Sequence, residues 1–317
     1  MKPTALITGA SAGIGVELAR LFAADGYDLL LVARRKDRLE SLAAELQAKH
    51  QNRVHVLAAD LMDPGAPAAV VAEVERLGLQ VEALVNNAGF GTNGPFQALD
   101  PVRELGQVQL NVTAVVALSR AFLPKMVERK RGYLLNLGST AGFQPGPWMA
   151  TYYATKAFVN SFSEALHHEL RGTGVSVTVC CPGPVATEFA AVAGNAESRL
   201  FQAGAMTAAA VAESAYRAMK RGQALIVPGL RNKLIPISVR FSPRGMVRRG
   251  SIMALLSRPD MAGGTILDPS ASRLQPPASR RQPRQEGRAE AGAERRLGLL
   301  HALLGARHLR RVSGEEA

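Results

Sequence analysis

The chain has 317 residues, 47% hydrophobic and 20% charged, which is enough apolar material for a full core. No uninterrupted apolar run reaches the ~18–20 residues that span a bilayer, and Gly9 to Gly15 end the first apolar stretch too early for a signal peptide. The formal net charge is +12: residues from Arg258 onward hold eleven arginines and seven acids (+4), leaving +8 for 1–257, and with no nucleic-acid motif in company this favours a phosphorylated cofactor or an anionic membrane surface.

Thr4–Thr8 reads as a buried first strand, followed by Thr8-Gly9-Ala10-Ser11-Ala12-Gly13-Ile14-Gly15 and a helical stretch over Gly13–Ala24. Glycines there permit a tight turn, let backbone approach a pyrophosphate, and let helix pack close on strand. The helix start then offers free N–H groups to phosphate. The spacing is GxxxGxG, not GxGxxG. A second strand, Asp28–Ala33, ends on Arg34-Arg35 ahead of a helix over Lys36–Lys49. An acid at that point would hold the adenosine ribose hydroxyls of NAD(H). Two guanidinium groups instead suit a 2′-phosphate and argue for NADP(H). The plain alternative is two solvated arginines before a helix.

The third strand, Val54–Ala58, leads to Asp60-Leu61, where a carboxylate can accept from an adenine amino group or simply cap a turn. After a helix over Gly65–Leu77, a fourth strand, Ala83–Asn86, runs into Asn86-Asn87-Ala88-Gly89. These small residues let backbone pass beside a cofactor, and the amides can tie neighbouring strands; an ordinary turn is the alternative reading. The helix expected over Pro101–Arg129 holds Asn111, a poor helix former unless it has local work. A fifth strand, Gly132–Gly138, delivers Ser139 to the carboxyl edge of the sheet, where ligands bind; an N-cap is its bland role. Thirteen residues on, Tyr152 and Lys156 lie four apart in a helical stretch, Thr151–Arg171, and share one face. A tyrosine with a pKa of ~10 is a poor base at neutral pH. A nearby ammonium and a positive nicotinamide ring would favour its phenolate. Tyr153 beside it can be core.

Val175–Cys181 is the sixth strand. Its adjacent Cys180 and Cys181 cannot staple distant segments and, as buried free thiols, fit a reducing, cytoplasmic setting. The histidines lack metal-ligand spacing, so no metal is expected. Pro182–Thr207, Gly/Ala-rich and directly after a strand end, reads equally as a ligand lid or a mobile loop. A helix over Ala208–Lys220 and a last strand over Ala224–Val227 follow. Leu230–Ser257 mixes apolar residues with Arg231, Lys233, Arg240, Arg244, Arg248 and Arg249 and is broken by Pro236 and Pro243. Short basic amphipathic helices are expected there, covering the sheet edge or making peripheral contact with a membrane or partner. From Arg258 the composition turns to Pro, Ser, Arg, Gln and Gly, so 258–317 reads as a disordered tail with a short helix over Arg295–Leu304. Strand–helix alternation implies an α/β fold: a Rossmann-type doubly wound parallel sheet over 1–228, with 229–257 as a helical extension.

TGASAGIG at 8–15, NNAG at 86–89, Asn111, Ser139, YYATK at 152–156 and PGPVAT at 182–187 stand in one order, in which residues 1–228 resemble the single-domain short-chain dehydrogenases/reductases. LVARRKDRL with PGLRNK at 228–233 looks like a bacterial, NADP-linked subgroup. The resemblance implies hydride transfer between NADP(H) and a carbonyl or alcohol. In it Tyr152 is the acid/base, Ser139 positions the carbonyl, Lys156 binds the nicotinamide ribose and lowers the tyrosine pKa, and Asn111 holds a relay water. Gly9, Ser11, Gly13, Ile14, Gly15, Arg34, Arg35, Asp60, Leu61, Asn87, Ala88 and Gly89 would hold the cofactor, with Pro182, Gly183, Val185 and Thr187 flanking the nicotinamide. A homodimer or homotetramer through the helices of Asn111 and Tyr152 is implied as well. Phe90, Phe143, Trp148, Met149 and Phe189 are the expected pocket wall, which suggests a small-molecule carbonyl or alcohol substrate that is apolar, a ketone or a lipid-like or acyl compound; plain core is the bland role of each. A cofactor-binding sensor or scaffold without turnover competes with this reading, and the intact Ser–Tyr–Lys set counts against it. A sugar epimerase is disfavoured by the glycine spacing and by the lack of a foldable C-terminal substrate domain.

Overall fold

In chain order the elements are β1 (Thr4–Thr8), α1 (Gly13–Ala24), β2 (Asp28–Ala33), α2 (Lys36–His50), β3 (Val54–Ala58), α3 (Ala66–Arg76) and β4 (Val81–Asn86). They continue with α4 (Pro101–Val108), a π-helical turn (Gln109–Thr113), α5 (Ala114–Glu128), β5 (Gly132–Leu137), a 3-10 turn (Thr140–Phe143), α6 (Ala150–Glu169) and β6 (Val175–Cys180). Last come β7 (Val185–Ala186), α7 (Phe189–Ala193), β8 (Met206–Thr207), α8 (Ala208–Lys220), β9 (Leu225–Ile226), α9 (Leu230–Phe241) and α10 (Arg244–Leu255). This computed structural model describes residues 2–194 and 204–255, the side chains as far as Ser251. The chain divides into units 1–264 and 265–317; the second, and the tail expected over 258–317, lie outside the described residues.

The main sheet is seven-stranded and parallel throughout, in the order β3-β2-β1-β4-β5-β6-β9, the doubly wound arrangement expected. Each central strand feeds two cores because successive side chains point to opposite faces. Ala5, Ile7, Leu29, Leu31, Ala83 and Val85 pack with α1, α2 and α8 on one side. Leu6, Leu30, Val32 and Leu84 pack with α3 and α5 on the other. That double burial explains the near-continuous apolar runs. Strand order reverses between β1 and β4, so their carboxyl ends open a crevice there.

Three details depart from expectation. β4 starts at Val81 because the buried Glu82 is paired: it accepts from the Tyr27 hydroxyl at 3.1 Å and meets Arg131 at 2.9 Å. The long helix is interrupted by the π turn around Asn111. Helix α9 continues through Pro236 and ends before Pro243. Its first turn is anchored by Asn232, whose Nδ2 donates to Pro228 O at 2.8 Å, so the one helical bond forfeited at Pro236 does not break it. The helical run Pro101–Glu128 is long and apolar enough to cross a membrane by length and composition. Its Ala114, Leu118, Phe122 and Met126 instead pack into the core beneath the sheet.

Candidate active site

The crevice deepens into a cavity of about 380 Å³ at the carboxyl ends of β1, β2, β4, β5 and β6. Gly9 and Gly13 hold φ of +67° and +57°, values that favour glycine. A Cβ on Gly15 would lie 2.4 Å from Gly9 O and 2.6 Å from Asn87 Nδ2, so helix and strand approach as closely as backbone allows. Ala12 gives α1 no side-chain cap and its first turn holds no acid. Free N–H groups of this turn face the cavity, a fit for a phosphate. Thr8 and Asn87 lace the turn to β4: Asn87 Nδ2 donates to Thr8 O at 2.9 Å, and the Asn87 and Ala88 N–H groups donate to Thr8 Oγ1 at 3.0 and 3.1 Å.

At one end of the cavity stand the arginines. Arg34 is exposed, 3.9 Å from Asp60. Asp60 Oδ1 also accepts from Met62 N at 3.0 Å, as a turn residue does, while Leu61 is buried and lines the cavity. Arg35 donates to Ser11 Oγ at 3.2 Å and to Glu188 at 2.7 Å, and Arg38 reaches the same carboxylate at 2.5 Å. Those two guanidiniums, Arg38 first, hold the Glu188 carboxyl below its ordinary range. Glu188 thus ties the segment after β6 back to the start of α2. Thr187 lies against Gly13, where a Cβ would come within 2.9 Å of its methyl.

The other end holds the proton chemistry. Ser139 follows β5 in extended backbone, and its Oγ accepts from Ala141 N at 3.0 Å. Its hydroxyl donates to Pro182 O at 3.4 Å; burial pushes the Tyr152 hydroxyl up, and Ser139 beside it pulls it back. Lys156, one helical turn on, is buried 5.9 Å from the Tyr152 ring centre, its Nζ donating to Leu137 O at 2.6 Å. Burial pushes Lys156 down to about 8. Cys181 faces Asn160 and is pushed up to about 12 by burial. Asn111, at the π turn, donates from Nδ2 to Phe90 O (2.9 Å) and Thr155 Oγ1 (3.1 Å), and its Oδ1 accepts from Phe90 N (3.2 Å). A wider turn at a functional residue is the usual setting of such bulges. Pro182 O accepts from Thr140 N at 2.9 Å; Gly183 is backed by Asn232; Val185 is buried beside β8.

Of the expected wall, Phe90, Met149 and Phe189 line the cavity, joined by Tyr153, Gln144, Val192 and Ile235. Phe143 packs instead with Val159, Val179, Cys181 and Val227 beneath the sheet, and Trp148 takes φ +69° outside the lining. In the long segment after β6, Phe189 and Val192 of α7 cover the cavity; residues 195–203 lie outside the described ones. Sequence reasoning missed Glu188, Arg38 and Ile235. Arg38 one turn after Arg35, and Glu188 directly after Thr187, were the available signals.

A family model described as short chain dehydrogenase matches residues 3–198. The chain belongs to that family. It is 40% identical to sulfoacetaldehyde reductase 2 of Chromohalobacter salexigens over 61% of this chain and 76% of that protein. A short-chain dehydrogenase from Sphingobium yanoikuyae, solved in complex with NADPH, matches with a TM-score of 0.69 and 35% identity, covering 77% of this chain and 94% of that one. The bulky-bulky ketone specific alcohol dehydrogenase of Comamonas testosteroni matches at 0.64 and 32%, covering 73% and 90%. This short-chain dehydrogenase is therefore an oxidoreductase acting on carbonyl or alcohol groups.

Proposed function

We propose that this short-chain dehydrogenase uses NADP(H) to interconvert an apolar ketone and its alcohol, with Tyr152 as acid/base. One observation carries the reading: a single cavity joins the uncapped start of α1 and two arginines to Ser139, Tyr152 and Lys156. When bound, the cofactor supplies the hydride or takes it up. In reduction, Tyr152 hands its proton to the carbonyl oxygen, and burial keeps the phenol protonated until that oxygen is in reach. The Ser139 hydroxyl donates to the same oxygen and holds it. Lys156, as ammonium, favours the phenolate left behind. Asn111, its amide tied to Phe90 and Thr155, stands at the widened turn, whose freed carbonyls offer a seat for a relay water.

Arg34 and Arg35 support NADP(H), as does the likeness to a dehydrogenase in complex with NADPH. The far lining is Phe90, Met149, Tyr153, Phe189, Val192 and Ile235, with Gln144 as its polar member. Among the described residues the cations that line the cavity, Arg34, Arg35 and Lys156, stand at cofactor or proton-transfer positions, and the far wall is largely apolar, which supports an apolar substrate. Exposed Val102, Leu105 and Val108 on α4 and Phe158 on α6 support contact between copies through these helices. Buried Cys180 and Cys181 support a reducing compartment. The test is turnover of a panel of apolar ketones with NADPH and NADH in parallel, for the native chain and Tyr152→Phe. Native turnover with NADPH, lost in the variant, is expected. Retained turnover in Tyr152→Phe, or an equal rate with NADH, overturns the corresponding assignment.

A further inference from the structure

Helix α9 has an inner face and an outer one. Toward the protein, Ile235 lines the cavity and Asn232 backs Gly183. Toward solvent, Leu230, Leu234, Ile237 and Phe241 are 82%, 63%, 55% and 81% exposed. Their spacings of four, three and four at ~100° per residue place all four within an arc of roughly 60°, whose centre is turned about 130° from Ile235. Exposed Arg231 flanks this stripe on one side, and exposed Lys233 and Arg240 on the other. Exposed Met246, Arg244, Arg248 and Arg249 continue the pattern in α10, and residues 228–255 contain no Asp or Glu.

The inner residues of α9 are only partly covered, and its larger apolar stripe is left in solvent, where it adds nothing to the stability of the fold. What covers it must be apolar in the middle and anionic at both borders. A second copy docking through the same surface would set cations against cations. The segment 258–317 carries a net +4 and meets the same repulsion. A bilayer with anionic headgroups meets both demands at once. We propose that α9 docks on an anionic lipid bilayer, with Leu230, Leu234, Ile237 and Phe241 entering the interface and the basic flanks on the headgroups. The catalytic cavity then sits one helix thickness from the lipid, behind Ile235. Docking stands apart from the turnover reading, and only the delivery of an apolar substrate rests on it.

Co-sedimentation of the full chain with vesicles tests this without measuring turnover. Binding to vesicles rich in phosphatidylglycerol, and weak binding to pure phosphatidylcholine, is expected. Leu234→Gln/Ile237→Gln/Phe241→Gln should weaken it roughly 100-fold. Arg231→Gln/Lys233→Gln/Arg240→Gln should remove the preference for anionic lipid while leaving the melting curve unchanged. Equal binding to both vesicle types overturns the proposal, as does binding that survives the apolar triple variant. Dimerisation of the lipid-free chain that the triple variant abolishes would assign the stripe to a second copy. Failure to bind either vesicle overturns the bilayer and leaves an acidic protein surface as the occupant.

Discussion

Replacing Lys156 with Met tests whether this fold carries a cation at a cost in stability. Burial holds the lysine at about 8 instead of 10.5. At ~1.4 kcal/mol per tenfold change in proton affinity, the protonated side chain is penalised by about 3 kcal/mol. Methionine fills a similar volume with flexible apolar atoms. It forfeits the bond from Nζ to Leu137 O at 2.6 Å, a loss of about 1–2 kcal/mol. The net expectation below pH 8 is a variant more stable by about 1–2 kcal/mol, or a few degrees in melting temperature. The folded value lies below the unfolded one, so the native chain gains stability as pH rises between about 8 and 10.5, when the lysine sheds its proton. The lead of the variant should therefore close over that window and reverse at its alkaline end, where only the lost bond to Leu137 O separates the two proteins. Melting curves of both cofactor-free proteins from neutral to alkaline pH measure it. Turnover should fall by about 100-fold or more, because the cation beside Tyr152 is gone. A variant less stable at neutral pH, or a gap that ignores pH, refutes the argument.

Gly15→Ala forces a Cβ to within 2.4 Å of Gly9 O; it should lower stability by about 1–3 kcal/mol and abolish NADPH binding, read by melting and by NADPH fluorescence. Glu188→Gln releases Arg35 and Arg38. NADPH should then bind up to about fivefold more tightly with NADH unchanged, and titration calorimetry showing weaker NADPH binding would sink the idea that Glu188 competes with the 2′-phosphate. Asn136→Ala removes the fully buried amide that accepts from Asn86 at 2.9 Å and donates to Ser163 at 2.9 Å. Chemical denaturation should show a loss of about 2–4 kcal/mol, since two buried polar groups lose a partner.

Most strands and helices were legible because the apolar runs of β1, β2 and β4 are buried on both faces and nothing local contradicts them. Glu82 hid the start of β4, since its charge is acceptable only with Tyr27 and Arg131 brought from distant parts of the chain. The π turn was invisible for a similar reason: the bonds that hold the Asn111 amide there run to Phe90 and Thr155, which lie far from it in sequence. Phe143 and Trp148 looked like pocket residues by type and position, yet the turn after Ser139 aims Phe143 under the sheet.

By itself the sequence determined the residue types of the chemistry and their order: a glycine turn after the first strand, arginines after the second, Ser139 after the fifth, and Tyr152 and Lys156 on one helical face. Local spacing suffices for these because strand ends and helix turns are short-range features. Tertiary structure alone decided the contacts between them. It bridged Arg35 and Arg38 through Glu188, buried Lys156 against Leu137 O, and gave α9 an inner face on the cavity and an outer face in solvent. Burial and long-range pairing depend on which segments the sheet brings together, and no window of sequence contains that information.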